Sequence, residues 1–160
     1  MGCSPGGRLG LALAAAALLA ACASRPPAPG LQPFQTDGCS RFADRSERSR
    51  SDWCHCCVAH DLAYWQGGTV VEREAADAAL RHCVTQASGS EGLGRLMLAG
   101  VRVGGGPAWP TPYRWGYGWP AGRGYAPLSP DEAAQVRALR AQIEVRPEVL
   151  ACPITALPSP

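Results

Sequence analysis

The chain has 160 residues, with 15 basic and 13 acidic side chains and a formal net charge of +2. This length allows one modest domain with appendages. Because the basic residues are scattered among acidic ones rather than gathered in one block, the charge gives no support to a nucleic-acid partner.

The N-terminal residues have the organisation of an export signal. Arg8 precedes an apolar run over residues 9–21, which is too short to span a membrane as a permanent helix. The run ends in a Leu-Ala-Ala-Cys sequence that resembles the lipobox of bacterial lipoproteins, in which the cysteine, here Cys22, is acylated. We therefore predict a signal peptide over residues 1–21 and a lipid anchor that holds the exported protein at the bacterial cell envelope, in the outer membrane. A signal peptide cut at an Ala-x-Ala site is the alternative, and it also exports the protein.

A tether and a polar loop are expected next. Residues 22–33 are rich in proline, alanine and glycine and predict a tether ahead of a domain over residues 34–160. Residues 36–40 form a loop by composition, and a polar stretch that contains several arginines follows them. We interpret that stretch as a solvated loop rather than as a contact for anionic lipid head groups.

The middle of the chain predicts two consecutive helices. The first extends from Asp52 to Trp65 and is ended by two glycines. Thr69 and Glu72 have the spacing of a capping box, which starts a second helix that runs to about residue 85. Such a short connection makes the two helices antiparallel neighbours.

This antiparallel arrangement brings chemistry-bearing side chains together, because facing residues in such a pair have position numbers with a nearly constant sum. His60 and Tyr64 both fit one register with Asp77, to within a few ångströms. Cys56 and Cys83 fit the same register. We therefore expect a carboxylate to meet an imidazole and a phenol, and two thiols to lie within bridging distance.

The remainder of the chain predicts a third segment, an irregular aromatic stretch and a last helix. Residues 93–103 predict a short helix or an extended segment, which ends at three consecutive glycines. Residues 109–120 alternate aromatic residues with proline and glycine, so the backbone is expected to be irregular while the rings pack or meet a lipid interface. Ser129 and Glu132 form a second capping box, and the helix that they start ends before Pro147.

Cysteine usage favours a disulfide framework. Eight cysteines are encoded, and six remain if Cys3 leaves with the signal peptide and Cys22 carries lipid. Small exported domains are commonly stapled by disulfides, so we expect three bridges. The six cysteines are Cys39, Cys54, Cys56, Cys57, Cys83 and Cys152. A zinc site formed by Cys54, Cys56, Cys57 and His60 is the alternative, but vicinal cysteines on a helix diverge and zinc motifs usually supply two ligand pairs.

His60 and Asp61 are adjacent on the first predicted helix and would face different partners, because consecutive helical residues point about 100° apart. Tyr64 lies one turn after His60 on the same stripe. One turn of backbone therefore carries a proton acceptor and a ligand for a hard cation. Asp77 lies among alanines on the second helix, an apolar setting that a charge enters only with partners.

These residues resemble the secreted phospholipase A2 superfamily, and the resemblance covers residues 37–83. The shared sequence is Cys-Cys-x-x-His-Asp over residues 56–61, followed by the tyrosine at position 64. Three more residues complete the pattern. Cys39 is a loop cysteine before the helix, Asp77 is a carboxylate on the next helix, and Cys83 follows it by six residues. Asp37 lies two residues before Cys39, and this spacing resembles the calcium loop of the prokaryotic and fungal branch of the superfamily.

The resemblance implies a mainly α, disulfide-stapled, phospholipase A2-like fold in which the two antiparallel helices carry the site. It implies that His60 is the general base, that Asp77 orients the imidazole and that Tyr64 hydrogen-bonds Asp77. It also implies a calcium cofactor, a hard cation that takes oxygen ligands. The implied ligands are Asp37, the carbonyl of Gly38, and Asp61.

The resemblance implies disulfides between Cys39 and Cys57 and between Cys56 and Cys83, and Cys54 and Cys152 remain as a candidate third pair. The implied reaction is calcium-dependent hydrolysis of the sn-2 ester of membrane glycerophospholipids by a water that the histidine activates. The alternative function is a non-catalytic lipid- or protein-binding module of the same fold in the cell envelope. A structural lipoprotein of the envelope is a third class, in which the His-Asp-Tyr-Asp set is coincidental.

Overall fold

The computed structural model describes residues 30–152. The expected signal peptide, the lipid-bearing Cys22 and most of the tether lie outside the described residues, so these features stay predictions. Within the described range, no helix combines the length and the apolar character that are needed to cross a bilayer.

The described chain is mainly helical and carries three disulfides, which confirms this part of the expected fold class. Its elements are β1 Arg45–Ser46, β2 Ser51–Asp52, α1 Cys54–Gln66, α2 Val70–Ser88, α3 Glu91–Gly104, α4 Pro130–Glu144 and a 3-10 turn, Pro147–Leu150. The two strands pair in an antiparallel hairpin within the stretch whose composition predicts a loop. The arginines of this stretch are exposed to solvent, as expected.

α1 and α2 form the pair of neighbouring helices that the sequence predicts. α1 begins two residues after Asp52, and glycines with positive φ, Gly67 at 65° and Gly68 at 141°, turn the chain between the helices. The Thr69 side chain accepts from the Glu72 amide, while the Glu72 side chain accepts from the Thr69 amide at 2.7 Å. The predicted capping box is therefore present and starts α2.

α3 folds as a helix, which decides between the two alternatives for this segment, and it packs closely on α2. Ser90 caps its start by accepting from the Leu93 amide at 3.2 Å. Gly94 permits the close approach, because a β-carbon there would lie 2.8 Å from the Arg81 carbonyl oxygen. α1, α2 and α3 consequently surround one common space.

The aromatic segment of residues 109–120 packs onto the C-terminal end of α1. The last carbonyl groups of a helix have no partner within the helix. Here the Gly116 amide donates to the Tyr64 carbonyl at 2.7 Å, and the Trp119 indole donates to the Gln66 carbonyl at 2.7 Å. Two of the three tryptophans in this segment are buried, so its rings belong mainly to the core.

Two hydrophobic cores lie on the two sides of α1. The first joins α1 to α4 and includes Phe34, Trp65, Trp119, Val136 and Ile143. The second joins α1 to α2 and α3 and includes Trp53, Leu80, Val84 and Met97. α4 begins at the predicted second capping box and ends before Pro147, as expected.

The disulfides are Cys39–Cys57, Cys56–Cys83 and Cys54–Cys152. All three expected bridges are therefore confirmed, including the candidate third pair. The zinc alternative is wrong, because each of its three cysteines is bonded to a different sulfur and none remains as a thiolate ligand. The adjacent cysteines of α1 point to different partners, as the geometry of a helix requires.

Replacing Cys54 and Cys152 together by serine should lower the free energy of unfolding by about 2–4 kcal/mol, because the bridge constrains the unfolded chain. The sequence separation of this pair is 98, so the closed loop is long. Urea unfolding followed by circular dichroism measures the change. An unfolding midpoint equal to that of the wild type would contradict the expectation.

Candidate active site

His60, Tyr64 and Asp77 meet between α1 and α2 in the register that the sequence predicts. The Nε2 atom of His60 lies 3.0 Å from Oδ1 of Asp77, and the Tyr64 hydroxyl donates to the same oxygen at 2.7 Å. Asp77 is fully buried, and His60 is 8% exposed. The Cys56–Cys83 bridge, one turn before His60, fixes the same register covalently.

The contact with Asp77 sets the roles of the two imidazole nitrogens of His60. An ionised carboxylate accepts hydrogen bonds and cannot donate them, so Nε2 carries the proton in this pair. In the neutral ring, Nδ1 is then the acceptor. His60 can therefore take a proton at Nδ1 while Asp77 stays bonded to the other side of the ring.

The phenol of Tyr64 is held in its protonated form. Burial raises its pKa, the hydrogen bond from Arg73 lowers it, and the hydrogen bond to Asp77 raises it again. The net effect is a pKa well above the ordinary value, so the hydroxyl stays protonated and donates a hydrogen bond to the Asp77 carboxylate. Tyr64 thus restrains Asp77 without competing for the proton that His60 uses.

His60 lines a cavity of about 310 Å³ between the helices. The walls are mainly apolar and include Leu80, Met97 and Val101. Phe42 and Leu96 also line it and are exposed, 40% and 58%, so apolar side chains reach from the cavity to the surface. The imidazole therefore faces a largely apolar space next to its buried carboxylate.

Arg73, on α2, also contacts this pair, although no motif in the sequence marks it. Its Nε atom donates to the Tyr64 hydroxyl at 3.0 Å and lies 3.8 Å from Oδ2 of Asp77. Burial lowers the pKa of Arg73, but hydrogen bonds to Tyr64 and Tyr125 outweigh burial and raise it, so the side chain stays charged. Its position four residues before Asp77 is the i,i+4 spacing of a helical ion pair, a signal by which it could have been found.

Arg102 approaches Asp77 from α3. Its Nε atom lies 2.8 Å from Oδ2 of Asp77, and its Nη1 atom donates to Oε1 of Glu74 at 3.1 Å. Oδ2 has no well-aligned hydrogen bond among the described residues, so the contact with Arg102 is an ion pair governed by charge rather than by hydrogen-bond direction. The sequence leaves residues 93–103 open between a helix and an extended segment, so it assigns them no register with α2 and does not predict this contact.

The residues expected to bind calcium lie on α1 and on the loop before β1. Asp61 is buried, and its Oδ2 atom accepts from the Thr36 hydroxyl at 2.6 Å. Asp37 is exposed, and its Oδ1 atom accepts from the Ser40 hydroxyl at 2.6 Å. The two carboxylates line one cavity. Gly38, with φ of 79°, turns the loop beside them.

Burial raises the pKa of Asp61 to about 7; the hydrogen bond from Thr36 lowers this pKa, and the charge of Asp37 raises it. Thr36 is a further site residue that the sequence patterns do not mark, because a loop hydroxyl carries no spacing signal. Among the described side chains, no arginine forms an ion pair with Asp37 or Asp61. Two carboxyl groups therefore lie close together without a cationic partner among the described side chains.

This donor set fits a hard divalent cation. Carboxylates and a backbone carbonyl supply only oxygen ligands, which calcium prefers, and waters or substrate oxygens would complete its shell of about six to eight ligands. A cation would also offset the burial and the like charge that raise the pKa of Asp61. Within the described range, one set of three histidine, cysteine or acidic side chains has its ligand atoms all within 4.8 Å of one another: His55, Cys56 and Cys83. The two sulfurs of this set are bonded to each other and cannot serve as thiolate ligands.

No protein-family model, no curated protein and no solved structure matches this chain. Any functional conclusion therefore depends on the chemistry of the residues in the site.

In the absence of calcium, Asp61 should make the protein less stable as the pH rises from about 4 to about 7. Its folded pKa of about 7 lies above the ordinary value of 3.8, so the folded state holds a proton that the unfolded chain has already lost. The loss of unfolding free energy is at most about 4 kcal/mol. Thermal unfolding in chelator across this pH range measures it.

Asp61→Asn should remove this pH dependence, because the amide does not titrate. Asp131→Asn, which changes an exposed carboxylate on α4, is the matched control and should leave the pH dependence as in the wild type. If the wild type and Asp61→Asn lose stability in parallel, Asp61 is not the group responsible.

Proposed function

We propose that this protein is a calcium-dependent hydrolase with a phospholipase A2-like fold, which cleaves the sn-2 ester of glycerophospholipids. The observation that carries the proposal is the contact between His60 and the buried Asp77. Asp61 lines the cavity of His60 and also lines a second cavity with Asp37. The two helices and the first two disulfides also agree with the arrangement that the phospholipase A2 resemblance implies.

The proposed reaction needs no nucleophilic side chain. His60 accepts a proton at Nδ1 from a water molecule, and the water oxygen attacks the ester carbonyl carbon. Asp77 stabilises the imidazolium through Nε2, and Tyr64 keeps the carboxylate in place. The leaving alcohol then takes the proton back from the imidazolium, which returns the ring to its neutral form.

Asp37, Gly38 and Asp61 would hold the calcium ion. When bound, calcium supplies a positive charge that polarises the ester carbonyl and favours the negative oxygen that develops there. The chain's own contribution is to keep Asp61 one residue from the base, so that the cation ligand and the proton acceptor belong to the same helical turn.

The cavity supports a lipid substrate. Its apolar wall of Leu80, Met97 and Val101 suits an acyl chain, because burial of methylene groups is favourable by about 0.8 kcal/mol each. The exposed Phe42 and Leu96 would let a lipid enter from a membrane surface. In this proposal the exported protein, held by lipid on Cys22, acts on the phospholipids of the envelope.

Replacing His60 by Gln should reduce fatty-acid release from phospholipid vesicles by at least about 100-fold, because the glutamine amide has no basic nitrogen to accept a proton from water. The circular dichroism spectrum and the disulfides should be unchanged. His82→Gln is the matched control, since His82 is exposed on α2, and it should retain wild-type activity.

Chelation of calcium should abolish the wild-type activity, and added calcium should restore it. Calcium binding, measured by calorimetry, should be lost in Asp61→Asn. A wild-type protein that binds calcium and vesicles but releases no fatty acid would instead favour the non-catalytic lipid-binding module. A His60→Gln variant with full activity would refute the role of His60 as the base.

A further inference from the structure

The two oxygens of Asp77 have separate sets of partners. Oδ1 accepts hydrogen bonds from Nε2 of His60 and from the hydroxyl of Tyr64, both on α1. Oδ2 faces the opposite side, where the nearest cation is the Nε atom of Arg102 at 2.8 Å and the next is that of Arg73 at 3.8 Å. Because the carboxylate is fully buried, Oδ2 would lack any compensation for its charge if the arginines were absent.

We propose that Arg102 is a positioning residue for the His60–Asp77 pair: its guanidinium holds Oδ2 of Asp77 on the side of α3, so that Oδ1 stays directed at the imidazole. This inference deepens the proposed function and rests on it. Rotation about the Cβ–Cγ bond of Asp77 would turn the oxygen that faces the imidazole away from it. A cation fixed at the other oxygen restricts that rotation.

Arg102 suits this role because it is itself held in place. Its Nη1 and Nη2 atoms donate to the side-chain and backbone oxygens of Glu74, at 3.1 and 3.3 Å, while Nε remains for Asp77. In return, Arg73 donates through Nη2 to the carbonyl oxygens of Val101 and Arg102, at 2.8 and 3.0 Å. α2 and α3 are thus joined in both directions at Asp77.

Arg73 and Arg102 have different tasks in this arrangement. Arg73 acts on Oδ1 through the Tyr64 hydroxyl and anchors the backbone of α3, so its removal would disturb several contacts at once. The Arg102 side chain is 39% exposed, and its ion pairs and hydrogen bonds to the described residues go to Asp77 and Glu74. Its replacement therefore tests the ion pair more selectively.

The test uses the full-length calcium-loaded protein with Arg102→Gln and Arg102→Met, which remove the charge, and Arg102→Lys, which keeps it. In the first two variants we expect kcat to fall by about 10- to 100-fold, as small misplacements of a catalytic group do, with KM changed by less than about twofold. Arg102→Lys should recover most of kcat, because an ammonium can also pair with Oδ2. Arg95→Gln, which breaks an exposed pair with Glu91 on the same helix, is the control and should behave as the wild type.

A second readout does not depend on turnover. The proton that Nε2 of His60 shares with Asp77 should give a downfield proton resonance in the wild type, in Arg102→Lys and in Arg95→Gln. The resonance should broaden or move upfield in Arg102→Gln and Arg102→Met. Both variants should remain folded because Arg73, whose Nε atom lies 3.8 Å from Oδ2, still offsets the buried charge of Asp77, and circular dichroism checks this.

The proposal is overturned if this resonance is unchanged in Arg102→Gln and Arg102→Met, or if kcat stays within about twofold of the wild type. An equal loss of kcat in Arg102→Lys and Arg102→Gln also overturns it, since a cation would then not suffice. If the wild type releases no fatty acid, the proposed function fails, and the resonance alone still decides whether Arg102 positions Asp77.

Discussion

The burial of Asp77 is the constraint on which the arrangement of the helices depends. A carboxylate without access to water must be surrounded by donors or cations, since an uncompensated buried charge costs on the order of several kcal/mol. Here α1 supplies His60 and Tyr64, α2 supplies Arg73, and α3 supplies Arg102. Three helices therefore keep one register around a single side chain, and the stability of the fold and the geometry of the site have the same origin.

The features that could be predicted from the sequence are those set by local rules. Capping boxes fix the starts of α2 and α4 to the residue, because they need only two side chains at a fixed spacing. The turn of two glycines makes α1 and α2 neighbours, and from that point the register of an antiparallel pair places His60 against Asp77 and Cys56 against Cys83. Helical periodicity and a short loop are thus sufficient to assemble the core of the candidate site.

The features that could not be predicted depend on contacts between distant segments. The position of Arg102 follows from how α3 lies on α2, which is governed by close packing at Gly94 rather than by any repeat in the sequence. Thr36 reaches Asp61 across a loop, where no periodicity applies. The aromatic segment is equally without a period, and its place on α1 is set by the need of the last helical carbonyls for donors.

The same aromatic segment gives the site an optical property. The ring of Trp115 is buried and lies edge-on to Tyr64, with centroids 5.0 Å apart and planes at 87°, and its indole is fixed by a bond to the Gly68 carbonyl at 2.9 Å. Excitation passes efficiently from a phenol to an indole at such a separation. Trp115 is consequently a native fluorophore next to the phenol that contacts Asp77. In a variant that keeps Trp115 and replaces the other four tryptophans by phenylalanine, its emission would report on the opening of this corner of the protein without an attached label.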